Sequence, residues 1–183
     1  MEEKQDLRIK KTQRALALSL LTLLEQTSFQ KITVNDLCTE AMVSRSAFYS
    51  HFEDKYALLG FCMELLQQRM FEESEQLDTK ARLRSVLEKT RENVKIFRNL
   101  MMSELDMGLI EMMRQSFHRD FERLLEAHDI KDSSLPKPLE VVSVYYASAL
   151  TSAILFWVGK SMPYSVDVMA DCLYRLLPEE LTK

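Results

Sequence analysis

The chain has 183 residues, 46% of them hydrophobic, a net charge of −4 at neutral pH, and only 3 glycines, 4 prolines and 3 cysteines. This composition supports a buried core and excludes a disordered chain, and the scarcity of breakers and of alternating β-branched runs points to an all-α fold. Cys38, Cys62 and Cys172 are odd in number and without metal-ligand spacing, and the polar start MEEKQDLRIKKTQ lacks a hydrophobic run, so a cytoplasmic protein without disulfides or signal peptide is expected.

In chain order, a first helix is expected over Asp6–Gln26, with Leu7, Ala15, Leu18, Leu20, Leu21 and Leu24 on its apolar stripe and Arg8, Lys11 and Arg14 opposite. TSFQKI interrupts it, with Phe29 and Ile32 as anchors. Thr33 and Asp36 then form a T-x-x-D capping box before a second helix over Val34–Ala41. Met-Val-Ser makes a turn, Ser44 caps a third helix over Arg45–Ser50, and Asp54 caps a fourth that reaches about Ser74. Further helices are expected over Lys80–Arg98, Leu100–Asp106, Leu109–His128, Leu139–Gly159 and Ser165–Leu177, which makes about nine in all. DIKDSSLPKP is the clearest loop. Residues 1–53 are expected to form one domain and 54–183 a second, larger one.

The segment TVNDLCTEAMVSRSAFYSHF holds two short helices and a tight turn, and its second helix is too short to bury much. Its polar tip fits a helix-turn-helix reader of DNA, because the major groove, about 12 Å wide, accepts one such helix. Arg45 can reach guanine edges or a phosphate, Ser44 and Ser46 can bond either, and Ala47 can meet a thymine methyl. The helix N-termini at Thr33, Ser44 and Asp54 favour phosphate, and Tyr49, His51 and Lys55 add donors. Phe48 and Phe52 read as the buried side. The net negative charge argues against a nucleic-acid partner, but its distribution is uneven. Residues 8–55 carry seven basic against five acidic side chains, a balance of +2 that leaves −6 for the rest.

ITVNDLCTEAMVSRSAFYSHFEDKYALL, Ile32 to Leu59, resembles the DNA-binding head of the TetR family of transcription regulators, most specifically in FYSHFEDKYALL. The resemblance implies a three-helix head that binds half of a palindromic operator, and a larger helical C-terminal domain that dimerises and often holds a small ligand. Carried over by position, Thr33, Ser44, Arg45, Ser46, Tyr49, His51 and Lys55 are the expected DNA contacts. Two positions depart from the family pattern. Met42 stands where glycine is usual, so a less strained turn is expected there. Ala47 stands where threonine is frequent, which removes a hydroxyl. YYASALTSAILFWVGKSMPYSVDVMADCLYRLL is similar, more loosely, to a C-terminal domain of TetR-type regulators from low-GC Gram-positive bacteria. In such relatives that domain can recruit a protein co-regulator.

Val141–Gly159 carries no charge over 19 residues. That length admits a membrane span, but the scattered Ser143, Ser148, Thr151 and Ser152 favour a buried helix, and Ala147, Ala149, Ser152 and Ala153 allow close approach of another. The expected dimer interface is Tyr146, Ala149, Ser152, Ala153, Phe156, Trp157 and Leu173, in an isologous four-helix bundle. Met101, Met102, Met107, Met112 and Met113 crowd one window. Methionine fills cores and also lines adaptable pockets. The candidate pocket is therefore Phe97, Met101, Met102, Met113, Phe117, Phe121 and Tyr145, with ordinary core filling as the alternative. His118 and His128 have no ligand-spaced partner, so no metal or cofactor is expected. The sequence has no nucleophile–base pairing, P-loop or GxGxxG, so it does not read as an enzyme.

The sequence thus reads as a homodimeric regulator that binds double-stranded operator DNA, a repressor controlled by a small apolar or amphipathic molecule. An activator or regulator whose C-terminal domain binds a protein co-regulator is the alternative. A helical ligand-binding protein without DNA binding is a third reading, separable by salt-dependent affinity for duplex DNA.

Overall fold

The computed structural model describes residues 2–71, 77–101, 106–127 and 135–182. Nine α-helices and no strand occur among the described residues: α1 (Glu2–Leu24), α2 (Val34–Glu40), α3 (Arg45–Tyr49), α4 (Lys55–Phe71), α5 (Thr79–Glu92), α6 (Val94–Met101), α7 (Asp106–Ala127), α8 (Leu139–Gly159) and α9 (Val166–Arg175). Short 3-10 turns lie at Phe29–Lys31 and Glu179–Leu181. The chain divides into two compact units, Met1–Leu66 with Lys95–Asp106, and Gln67–Val94 with Met107–Lys183.

In the first unit α1 buries Leu16, Ala17, Leu20 and Leu24. Leu18, expected on the same stripe, is 51% exposed. A leucine-rich run has apolar residues on more than one face, and packing selects which row turns inward. Asn99 of α6 donates its side-chain amide to the Leu24 carbonyl at 2.7 Å, satisfying one of the carbonyls left over at the end of α1. Phe29 and Ile32 are buried anchors on the way to α2.

Caps set the short helices that follow. The Asp36 N–H donates to the Thr33 hydroxyl oxygen, and the Thr33 N–H and O–H donate to the Asp36 carboxylate at 2.9 and 2.6 Å. This is the reciprocal box that TVND spells. The Ser44 hydroxyl accepts from Ala47 N–H at 3.1 Å, and Asp54 accepts from the N–H groups of Tyr56 and Ala57 at 2.8 Å each.

The end of α2 corrects an expectation. Val43 N–H donates to the Cys38 carbonyl and Met42 N–H to the Thr39 carbonyl, a Schellman closure that puts Met42 at φ 53. Replacing the usual glycine with methionine has left the left-handed conformation in place.

In the second unit α5 is amphipathic, with Leu83, Val86 and Leu87 buried. It ends earlier than predicted. Asn93 turns its side-chain amide back onto the Lys89 carbonyl at 2.8 Å, and α6 starts anew at Val94. The single helix expected over 80–98 is therefore two. The sixth helix expected over 100–106 overlaps α6 only at Leu100 and Met101, and residues 102–105 lie outside the described residues. The acidic residues Glu72, Glu73 and Glu75 also lie outside them, whereas Asp78 caps α5 through Ala81 N–H. α5 joins α9 through Lys80–Asp171 and Arg84–Asp167, each at 2.8 Å, and α7 through Arg82–Asp120 at 3.3 Å.

α8 spans the predicted residues. It is long and apolar enough to cross a membrane by composition, but half of it is buried within the fold. Its interior row is Val142, Ala147, Leu150, Ile154, Trp157 and Val158.

Candidate nucleic-acid interface

α3 has five residues, RSAFY, and buries only Phe48. The Phe48 ring lies 6.0 Å from Phe52 and 5.3 Å, edge-on, from Tyr49, and Phe52 lies 5.7 Å from Phe61 of α4. This chain of rings fixes a helix too short to hold itself. The opposite side faces solvent: Ser44, Arg45 and Ser46 are exposed, as is half of Tyr49, while Ala47 and His51 are half-buried. Arg45 makes no ion pair among the described residues, so its guanidinium is available to an anion. Thr33, at the head of α2, is exposed too.

Lys55 is placed otherwise than expected. Its ammonium donates to the carbonyls of Phe29 at 3.1 Å, Gln30 at 3.2 Å and Ile32 at 2.8 Å. It also lies 4.7 Å from the centroid of the Phe29 ring. Burial lowers its pKa from the ordinary lysine value. An ammonium has three hydrogens, and here each has a carbonyl. Nothing local to FEDKYALL announces this, because the partners lie more than 20 residues earlier.

The residues of the candidate ligand pocket fall in both units. Phe97 and Met101 belong to the first unit, Met113, Phe117, Phe121 and Tyr145 to the second, and Met102 lies outside the described residues. Phe117 and Phe121 line a partly open void with Thr79, Arg82, Leu83, Asp120, Leu150 and Leu177, but its volume is about 20 Å³. That is room for one water, against the several hundred Å³ of an ordinary ligand site. Tyr145 points away from any interior, being 66% exposed, while its neighbour Tyr146 is half-buried with its ring 6.3 Å from Phe121.

The expected interface residues also divide. Ala149, Ser152 and Phe156 are exposed and Ala153 is half-buried. With Val141 and Tyr145 they make an apolar row on α8 at helical spacing. Trp157 is 1% exposed and donates its indole N–H to the Tyr164 carbonyl at 2.9 Å, and Leu173 is buried on α9, so neither reaches the surface. The exposed row of α9 is instead Val168, Cys172 and Leu176.

Cys38 and Cys62 are buried, and burial raises both thiols, Cys62 to about 12, so neither forms a thiolate at neutral pH. No group of three metal-ligating side chains occurs among the described residues.

Residues 20–60 match the model for bacterial regulatory proteins of the tetR family, and residues 78–179 match the one for a transcriptional regulator C-terminal region. The chain is 22% identical over 170 residues to YxbF, an uncharacterized HTH-type transcriptional regulator of Bacillus subtilis (strain 168), which covers 88% of this chain and 43% of that protein. The chain therefore spans less than half the length of that relative. Among solved structures it is similar to the dihydroxyacetone kinase operon activator DhaS, with a TM-score of 0.72, 17% identity and 93% and 96% of the two chains covered. It is also similar to a TetR transcriptional regulator from Streptococcus agalactiae 2603V, with a TM-score of 0.71, 24% identity and 94% and 97% covered.

Proposed function

This chain belongs to the TetR family of DNA-binding transcription regulators, and we propose that it is a cytoplasmic homodimer that grips a palindromic operator with one head per half-site and acts as a repressor by occupying the promoter. Residues 1–53 are the DNA-binding domain in this reading, and 54–183 dimerise and receive the controlling signal. Thr33, Ser44, Arg45, Ser46, Ala47, Tyr49 and His51 are the contact set. The carrying observation is α3 itself, which has one buried aromatic anchor and an exposed Ser-Arg-Ser tip. Arg45 and Ala47 read bases, while Thr33, Ser44 and Tyr49 take phosphate.

The partner copy seats on the exposed row of α8, Val141, Tyr145, Ala149, Ser152 and Phe156, in an isologous contact. The test is selection of bound duplexes from a random library by the purified protein. An enriched inverted repeat supports the reading. Loss of DNA binding from the folded dimer at moderate salt would refute it.

Control by a small apolar or amphipathic ligand remains the first reading of residues 54–183, because methionine and phenylalanine gather in that sequence. The 20 Å³ void favours a second reading, in which this part of the chain binds a protein co-regulator. DhaS, similar in fold, is named as an operon activator, which makes activation the matching outcome. A promoter fusion in cells with and without the protein separates the two signs of regulation.

A further inference from the structure

We propose that Lys55 is a positioning residue for DNA binding and not a phosphate ligand: it draws three carbonyls of the Phe29–Ile32 connector together and so aims the head of α2, with Thr33, at the operator. This rests on the contact surface proposed above. Sequence resemblance alone makes Lys55 one more cation for the backbone of DNA. The geometry gives it another task. Its three donors already meet the carbonyls of Phe29, Gln30 and Ile32 at 3.1, 3.2 and 2.8 Å. Phe29 and Tyr56 hold the same ammonium at 4.7 and 5.8 Å from their ring centroids and pack edge-on against each other at 5.4 Å. To reach a phosphate the ammonium would have to leave all of these at once.

What it holds matters for recognition. Ile32 directly precedes Thr33, the residue in extended conformation that opens α2 and closes the capping box. Lys55 is the first residue of α4. One ammonium therefore fixes the start of α4 to the last turn before α2. A tetrahedral ammonium suits three converging carbonyls, whereas the planar fork of arginine carries the same charge but does not aim its donors at that point.

The experiment measures operator affinity against salt for Lys55→Arg and Lys55→Met, at a temperature where circular dichroism shows each fully folded. The expected result is at least a tenfold loss in both, with the slope of log affinity against log salt unchanged. A phosphate ligand behaves oppositely: Lys55→Met would lower the slope by about 0.9, and Lys55→Arg would bind like the parent. Either result overturns the proposal, as does parental affinity in both variants. A double-mutant cycle then asks whether Lys55 acts through Thr33. The pair Thr33→Ala with Lys55→Arg should lose no more than the worse single variant, and additive losses overturn the proposal.

Arg45→Ala in the same assay separates this failure from failure of the contact surface. If Arg45→Ala binds like the parent, the surface on which Lys55 acts is gone and the proposal goes with it. If Arg45→Ala is impaired while Lys55→Arg is not, the clamp alone is wrong. Should neither Lys55 variant fold, NMR of the Lys55 ammonium in the unaltered protein decides. A signal unmoved by added operator supports the clamp, and coupling to operator phosphorus overturns it.

Discussion

Met42 is 92% exposed at φ 53, while Gly60 lies inside α4 with nothing within 4 Å of where a Cβ would be. The chain thus has a side chain where the backbone favours glycine, and a glycine where a helix favours a side chain. A non-glycine residue in the left-handed region costs roughly 1–2 kcal/mol, partly offset by the flexibility glycine adds to the unfolded chain. Met42→Gly should therefore stabilise by about 0.5–1 kcal/mol, since the exposed side chain gives up no packing. Gly60→Ala should add a further ~1 kcal/mol from helix propensity. Urea midpoints check both, and a Met42→Gly midpoint below the parent's would sink the strain argument. At this scale the sequence is legible wherever chemistry is local. Thr33, Ser44 and Asp54 cap as spelled because each bonds within three residues. The sequence places Tyr145 in a pocket and Tyr146 in an interface, and the helix turns the first outward and the second toward Phe121. Neighbours on a helix point about 100° apart, and a helix apolar all round has no polar face from which to phase them.

α2 has seven residues and α3 five, lengths at which a helix has no stability of its own and depends on caps and packing. The dependence is testable through pH. The hydrogen bond from the Thr33 hydroxyl, then that from its N–H, lowers the Asp36 carboxyl below the usual aspartate value. A carboxylate lowered in the folded state stabilises above its unfolded pKa, about 3.9, and that contribution fades as pH falls through the folded value. Asp36→Asn should thus be less stable than the parent at pH 6, and the gap should close as pH falls below about 4. Paired urea titrations measure the difference, which cancels the other carboxylates; a gap independent of pH would remove the box from the account. Element boundaries were readable where a cap, proline or turn residue marks them, as at both ends of α8. The break between α5 and α6 was not, because Asn93 ends α5 by a bond to the backbone four residues back, a choice open to any helical asparagine.

For the molecule as a whole, the proposed dimer turns on which side of α8 meets a second copy. Phe156 and Trp157 are adjacent but differ in environment, 57% against 1% exposed. Phe156→Lys should leave helicity and thermal midpoint nearly unchanged while shifting sedimentation from dimer to monomer. Trp157→Ala should instead destabilise by about 3–5 kcal/mol through the cavity it opens. If Phe156→Lys sediments as the parent does, the partner seats elsewhere. Operator binding should follow the oligomer, because joining two heads makes the second contact intramolecular and multiplies affinity by roughly 10²–10⁴. The thiols give an independent reading on the unaltered protein. Cys38 and Cys62 are buried and should stay unlabelled by maleimide until unfolding, whereas Cys172 is exposed in the single chain, on the α9 row of Val168 and Leu176. If that row lies in the interface, Cys172 of the parent should label slowly at concentrations where it is dimeric, and quickly on dilution or in Phe156→Lys. Equally fast labelling in both would leave α9 outside the interface and confine the contact to α8.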